Sequence, residues 1–392
     1  MELYNSSVAS NLQVKKTMFY KIFYEEFNVG FSAPSSDACN VCVLWGNRIK
    51  NERNSEKKQK LMVELRVHKI RAKAFYTHMK GNPPNSISLC FDLQQVQALP
   101  KTPIQDAFYS RQISLYNFCV VPLNSKDPWF YTWDETIAKR EPTEIGSAVY
   151  DYLSSMNIDN NVDTIRLFCD GCGGQNKNNH IIHSLMQWLY SKSPAQVKEI
   201  HIFFPVRGHS FLPADRVFGR LEKELRKIPV ITTKDGYHDI FKNHGNVRLL
   251  GNDWQLLEIK DLKENFKNVE GLQKIKRVWI KKTVKRQMTI GCEIKASQYY
   301  RFDGNDPWQT LLKRGKRIPL TIDVAESIPQ PVSEKKKKDV INLLEKQFGE
   351  EWTALPELQW YTTILLHVTE EPAEEHEYDC VCNEEDVGEV RV

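Results

Sequence analysis

Long apolar runs are the first thing this chain of 392 residues lacks. Its apolar strings, such as residues 118–121, are strand-sized. A membrane span needs about eighteen, so no membrane partner is expected. The first thirty residues contain no apolar stretch that reads as a secretory signal. A disulfide framework is not indicated either. The nine cysteines are an odd, scattered set, which favours reduced thiols or metal ligands. Internal repeats are absent. With 41% hydrophobic and 27% charged residues, the composition is neither collagen-like nor wholly disordered. A charge excess is lacking as well, since 54 Lys and Arg face 50 Asp and Glu for a net of +4.

That small number conceals a division. From residue 370 onward ten acidic residues stand against one basic, a net of −9 that leaves +13 on residues 1–369. The acidic tail has no apolar periodicity and reads as disordered. Residues 274–286 hold seven cations and no acid: Lys274, Lys276, Arg277, Lys281, Lys282, Lys285 and Arg286. Such a stretch either tracks a phosphate backbone or forms a solvated face. The four lysines 335–338 read equally as a nuclear import signal or as the first turn of a helix bearing Val340, Leu343, Leu344 and Phe348.

Apolar spacing predicts one long helix over roughly 47–80, with Leu61, Leu65, His68, Ala72, Phe75 and Met79 along one face. The breaker Gly-Asn-Pro-Pro-Asn at 81–85 then separates an N-terminal segment, 1–84, from a unit over 85–246. In that unit, strands are expected over 86–96, 108–122, 129–133, 164–169 and 199–206. Helices are expected over 141–156, 176–191 and 213–227. This is the order of a ribonuclease-H-like α/β core, a mixed five-stranded sheet flanked by helices. Beyond 247 the pattern weakens to short strands near 254–259 and 277–283, a small basic α+β region before the tail.

In such a core the first and fourth strands are neighbours at the centre. Asp92 lies within the first and Asp170 ends the fourth. An ionised carboxylate among apolar residues is costly unless paired or bound to a cation. Two on adjacent strands also repel, and a divalent ion resolves both problems. Oxygen ligands select Mg²⁺ or Mn²⁺. Asp215, in the first turn of the last helix, or Glu222, two turns on, would supply a third acid for a two-metal site. Taken singly, each acid also reads as a turn or helix-start residue. The glycines of 171–174 let backbone amides approach a phosphate, with Gln175, Asn176 and Lys177 as further donors. His209, just past the fifth strand, either touches the same site or is a capping or core histidine.

Cys39-x-x-Cys42 is either a second candidate site, with the half-site spacing of zinc proteins, or a reduced, unliganded pair. His68 lies on the apolar face of the following helix and is a candidate third ligand. The fourth is open among Cys90, Cys169, Cys172 and water. His180 and His183, at i and i+3, read as a surface pair or as metal ligands, and Cys380 and Cys382 as inert.

Asp-Gly-Cys-Gly-Gly-Gln-Asn-Lys-Asn over 170–178, then Gly-His-Ser-Phe-Leu-Pro-Ala-Asp-Arg-Val-Phe over 208–218, resembles a large family of transposon-derived proteins common in insects and other animals. The likeness extends to residues 35–42, His68, residues 91–94, Trp133, Glu135, Glu144, Ile145 and Ser147, and covers roughly 17–245. It departs at Arg140-Glu141-Pro142, where relatives tend to have Arg-Gly. The resemblance implies a transposase-like domain of ribonuclease-H-like fold, with Asp92, Asp170 and Asp215 as its acidic triad and Glu222 competing for third place. It implies metal-dependent DNA cleavage and strand transfer in the nucleus, or a repurposed DNA-binding protein without turnover. DNA is the expected partner, and self-association into a homo-oligomer is left open.

Overall fold

The structure is a computed structural model that describes residues 2–15, 17–18, 38–285, 288–302, 306–326 and 330–366. Arg286 and the acidic tail, with Cys380 and Cys382, lie outside the described residues. The helices are α1 (Glu2–Ser7), α2 (Asn40–Asn51), α3 (Ser55–Lys80), α4 (Pro142–Ser155), α5 (Asn179–Ser191), α6 (Pro213–Leu225), α7 (Lys234–Lys242), α8 (Glu334–Phe348) and α9 (Gln359–Leu366). The strands are β1 (Ser86–Leu93), β2 (Gln97–Leu99), β3 (Ile113–Pro122), β4 (Trp129–Asp134), β5 (Thr164–Cys169), β6 (Glu199–Phe203), β7 (Asn246–Leu249), β8 (Arg277–Lys285) and β9 (Met288–Ser297).

The architecture is mixed α/β, with helices on both faces of one sheet. That sheet has nine strands, not five, in the order β7-β4-β3-β1-β5-β6-β8-β9, with β2 pairing β3. β1 runs antiparallel to β3 and parallel to β5, so it sits at the centre. The extra width comes from beyond residue 245. There β7 adds to β4, and the β8–β9 hairpin continues from β6. No strand forms over 254–259, which makes only isolated bridges from Trp254 to Leu250 and from Leu257 to Val324.

Alternation along the strands sorts side chains into two cores. Leu89, Phe91 and Leu93 of β1 join Ile165, Leu167 and Cys169 of β5 under α4 and α5. On the other face, Cys90 and Phe168 pack with Phe75 of α3, Val217 and Leu221 of α6, and residues of α7, α8 and α9. Both faces of the central strands are therefore covered, as expected of continuous apolar runs.

The long N-terminal helix is two helices. It breaks at Asn54, whose side chain caps α3 by accepting from the Lys57 N–H at 3.0 Å. Two contacts fix the far end of α3 on the sheet. Phe75 is fully buried, with its ring 5.8 Å from that of Phe168. A phenyl so placed stabilises by about 3–5 kcal/mol relative to alanine. Arg166 of β5 donates to the Gly81 carbonyl at 2.7 Å and to that of His78, so its charge meets the C-terminal end of the helix.

Candidate functional site

Strand parity decides where the acids point. Asp92 follows Cys90 by two residues and Asp170 follows Phe168 by two, so both lie on the α6 side of the sheet. The last paired residues of β1 and β5 are Phe91 and Cys169, which makes Asp92 and Asp170 neighbours one position further on. Asp215 comes from the first turn of α6 on the same side. Its Oδ2 accepts from the Leu212 N–H at 2.7 Å, a bond from the third helical position back to the cap.

Electrostatics ties the three together. Asp92 is held well above the ordinary carboxylate range, first by burial and then by the negative charges of Asp170 and Asp215. Burial also raises Asp170, opposed by bonds from Asn176 and the Cys172 N–H and by the charge of Arg140. The Asn176 amide nitrogen lies 2.5 Å from Asp170 Oδ1 and 3.4 Å from Asp92 Oδ1. Asp215 is exposed, so the cluster opens to solvent on its side. Glu222 is engaged elsewhere, its Oε1 accepting from Gln94 at 3.1 Å and Gln97 at 3.2 Å.

The residues expected to meet phosphates are placed differently from one another. Asn176 and Lys177 are buried, and the Lys177 ammonium donates to the Gln273 carbonyl at 2.5 Å. Gln175, with its amide oxygen turned toward Arg140, accepts from that guanidinium at 2.6 Å and 3.1 Å. Arg277 turns inward, donating to the Tyr300 carbonyl at 3.0 Å and to His201 Nδ1 at 3.1 Å over the rings of Phe203 and Phe302. Burial and then Arg166 lower its pKa to about 10. Lys281 lies 3.7 Å above the Trp308 ring and 3.5 Å from Glu293, and Lys282 donates to the Pro194 carbonyl at 3.2 Å. Lys274 is exposed, Lys276 half-buried, and Lys285 ends β8. Of the four lysines in α8, Lys336 bonds Glu135 at 2.8 Å and Lys337 bonds Glu334 at 2.8 Å.

The cysteine pair finds its partners. Cys39 caps α2, Cys42 lies in the first turn, and His68 reaches across from α3. The fourth member is His209, from the loop between β6 and α6, and not Cys90, Cys169 or Cys172. Cys39 Sγ is 3.3 Å from His68 Nε2, Cys42 Sγ is 3.4 Å from His209 Nε2, and the two Nε2 atoms are 3.0 Å apart. All four ligand atoms lie within 4.8 Å of one another, and among the described residues no other such group does, the three carboxylates included. Tetrahedral zinc, with bonds of about 2.3 Å to sulfur and about 2.0–2.1 Å to nitrogen, sets its ligands about 3.3–3.8 Å apart. The separations of 3.0, 3.3 and 3.4 Å lie near that range, so the group could hold such an ion. Burial raises the Cys42 thiol, helped by Cys39, and lowers His209, helped by Lys69. Both shifts favour neutral side chains, so a metal must displace the thiol protons.

Local features hold the loop against α3. Tyr76 donates its hydroxyl hydrogen to the His209 carbonyl at 2.8 Å and accepts from the Phe211 N–H at 3.1 Å. Gly208 has φ +75°, and a Cβ there would lie 2.9 Å from both Cα and Cβ of Cys39. Nothing near His209 in the sequence announces a ligand; only the docking of α3 brings it to the cysteines. The surface reading of His183 is also corrected. His183 is fully buried, its Nε2 3.0 Å from the Lys267 carbonyl and its ring stacked on Phe266, because the segment after residue 258 covers α5.

A family model described as a domain of unknown function (DUF7869) matches residues 146–298. That span contains Asp170, His209 and Asp215 but not Asp92, Cys39, Cys42 or His68. No curated protein matches the chain. Among solved structures, the crystal structure of NurA with manganese aligns at 11% identity and a TM-score of 0.18. The alignment covers 61% of this chain and 52% of that one, about half its length. So loose a superposition leaves the fold to be read from the sheet itself. Among the described residues no helix is long and apolar enough to cross a membrane.

Proposed function

We propose that the chain cleaves nucleic acid phosphodiesters with a divalent cation held by Asp92, Asp170 and Asp215. One observation carries this reading: three carboxylates from separate elements lie toward one face of the sheet, and burial, then the charges of the other two, disfavours Asp92 as an anion. Oxygen-only donors that repel one another suit a hard cation, Mg²⁺ or Mn²⁺. When bound, such ions polarise the phosphate and activate the attacking hydroxyl. The protein's part is positional. β1 and β5 fix two carboxylates side by side, the bond to Leu212 orients the third, and the exposed side of Asp215 admits substrate. The central order β4-β3-β1-β5-β6 supports a ribonuclease-H-like reading of this core. The resemblance of residues 170–178 and 208–218 to transposon-derived proteins makes DNA the favoured substrate, with strand transfer after cleavage.

A second reading has its own support. The carboxylates are not gathered as closely as the Cys/His set, as in a domesticated DNA-binding protein that has lost turnover. Nicking of supercoiled DNA with Mn²⁺ separates the two. Asp170→Asn should slow it about a thousandfold, the equivalent of about 4 kcal/mol. Equal rates for wild type and variant would sink catalysis at this site.

A further inference from the structure

Asn176 combines two properties that a plain structural amide does not need. The residue is 1% exposed, with its amide nitrogen between Asp170 and Asp92. Its Oδ1 is buried and has no hydrogen-bond partner. Stranding a buried acceptor costs about 1–3 kcal/mol. The backbone beneath is fixed, because the N–H groups of Gln175, Asn176 and Lys177 converge on the Cys172 carbonyl at 3.3, 2.9 and 2.9 Å. The terminal torsion of asparagine is soft and roughly two-fold. Half a turn about it exchanges nitrogen for oxygen, and Oδ1 breaks no bond in leaving its place.

We infer that Asn176 is a ligand of the divalent cation and also its stand-in. Without the ion, the amide hydrogens hold Asp92 and Asp170 together. With Mg²⁺ or Mn²⁺ present, the amide turns and offers Oδ1 beside the carboxylates. An amide oxygen is a hard donor suited to these ions, and being neutral it adds no charge to three acids. This replaces the expectation that Asn176 meets a phosphate. It rests on the carboxylate-site reading above.

The full chain, with its asparagines labelled with ¹³C at Cγ, is loaded with Mn²⁺ and examined by electron–nuclear double resonance. A ¹³C coupling from a directly ligated amide is expected, and it should vanish in Asn176→Ala. Mn²⁺ affinity, followed by loss of the free-ion EPR signal, should fall about tenfold or more in Asn176→Ala. Asn176→Asp, which keeps an oxygen there, should bind at least as tightly as wild type. Wild-type binding without the ¹³C coupling overturns the inference. So does an alanine variant that binds as tightly as wild type or more tightly, the result expected if the amide only competes for the carboxylates. If the alanine variant does not fold, the wild-type coupling decides. Asp170→Asn separates the two levels: wild-type Mn²⁺ affinity in that variant would overturn the carboxylate site, and this inference with it.

Discussion

The Cys/His centre and the carboxylate cluster lie six residues apart, at His209 and Asp215, yet they stand in opposite relations to the fold. The Cys/His ligands come from α2, α3 and the loop before α6, segments that lie outside the sheet and meet through the docking of α3. A metal there ties the N-terminal helices to the core. The carboxylates are already placed by β1, β5 and α6, and their mutual repulsion works against folding. Removing a ligand should therefore change stability in opposite directions at the two sites.

The largest effect tests the first half of that contrast. His209→Ala should lose one equivalent of zinc by metal analysis and lower the melting temperature by more than about 5 °C, because zinc bound only by the folded chain stabilises it. A zinc-free wild type, or an unchanged melting temperature, would break the comparison. Gly208→Ala probes the same centre without touching a ligand. The positive φ and the contact with Cys39 should make it about 1–3 kcal/mol less stable by denaturant titration, with weaker zinc retention. An unshifted midpoint would mean that the close approach of loop and cysteine is dispensable.

The smallest effect carries the opposite sign. Folding raises the pKa of Asp92, so the folded state favours its protonated form. In metal-free protein this contribution is present below the ordinary carboxylate pKa of about 4 and is lost as pH rises toward the folded value. Asp92→Asn avoids the loss. It should melt a few degrees above wild type at pH 7 without divalent ions and close to it near pH 4, and saturating Mn²⁺ should erase the gain. A metal-free Asp92→Asn that melts below wild type at pH 7 would show that the carboxylate supports the fold.

Apart from β2, the core elements over 86–225 were legible because apolar period and breakers are local signals. The N-terminal break was legible in part, since Asn54 is a good cap but the apolar face continues past it. β9 carried a period-2 signal at Cys292 and Ile294, both buried, but a hairpin edge is secured only by its partner β8. Arg277 looked like part of a basic run. Its spacing could not show that Phe203 and Phe302 enclose it.

By itself, the sequence determined which residues were chemically out of place: Asp92 and Asp170 in apolar strands, a Cys-x-x-Cys, and a histidine on an apolar helix face. Those are costs that a chain bears locally, and composition and period expose them. Tertiary structure decided which of them meet. Strand parity aligned the acids on one face, and the docking of α3 through Phe75 and Arg166 gave the cysteines His209. Contacts between residues more than a hundred positions apart depend on how elements pack, which no local pattern encodes.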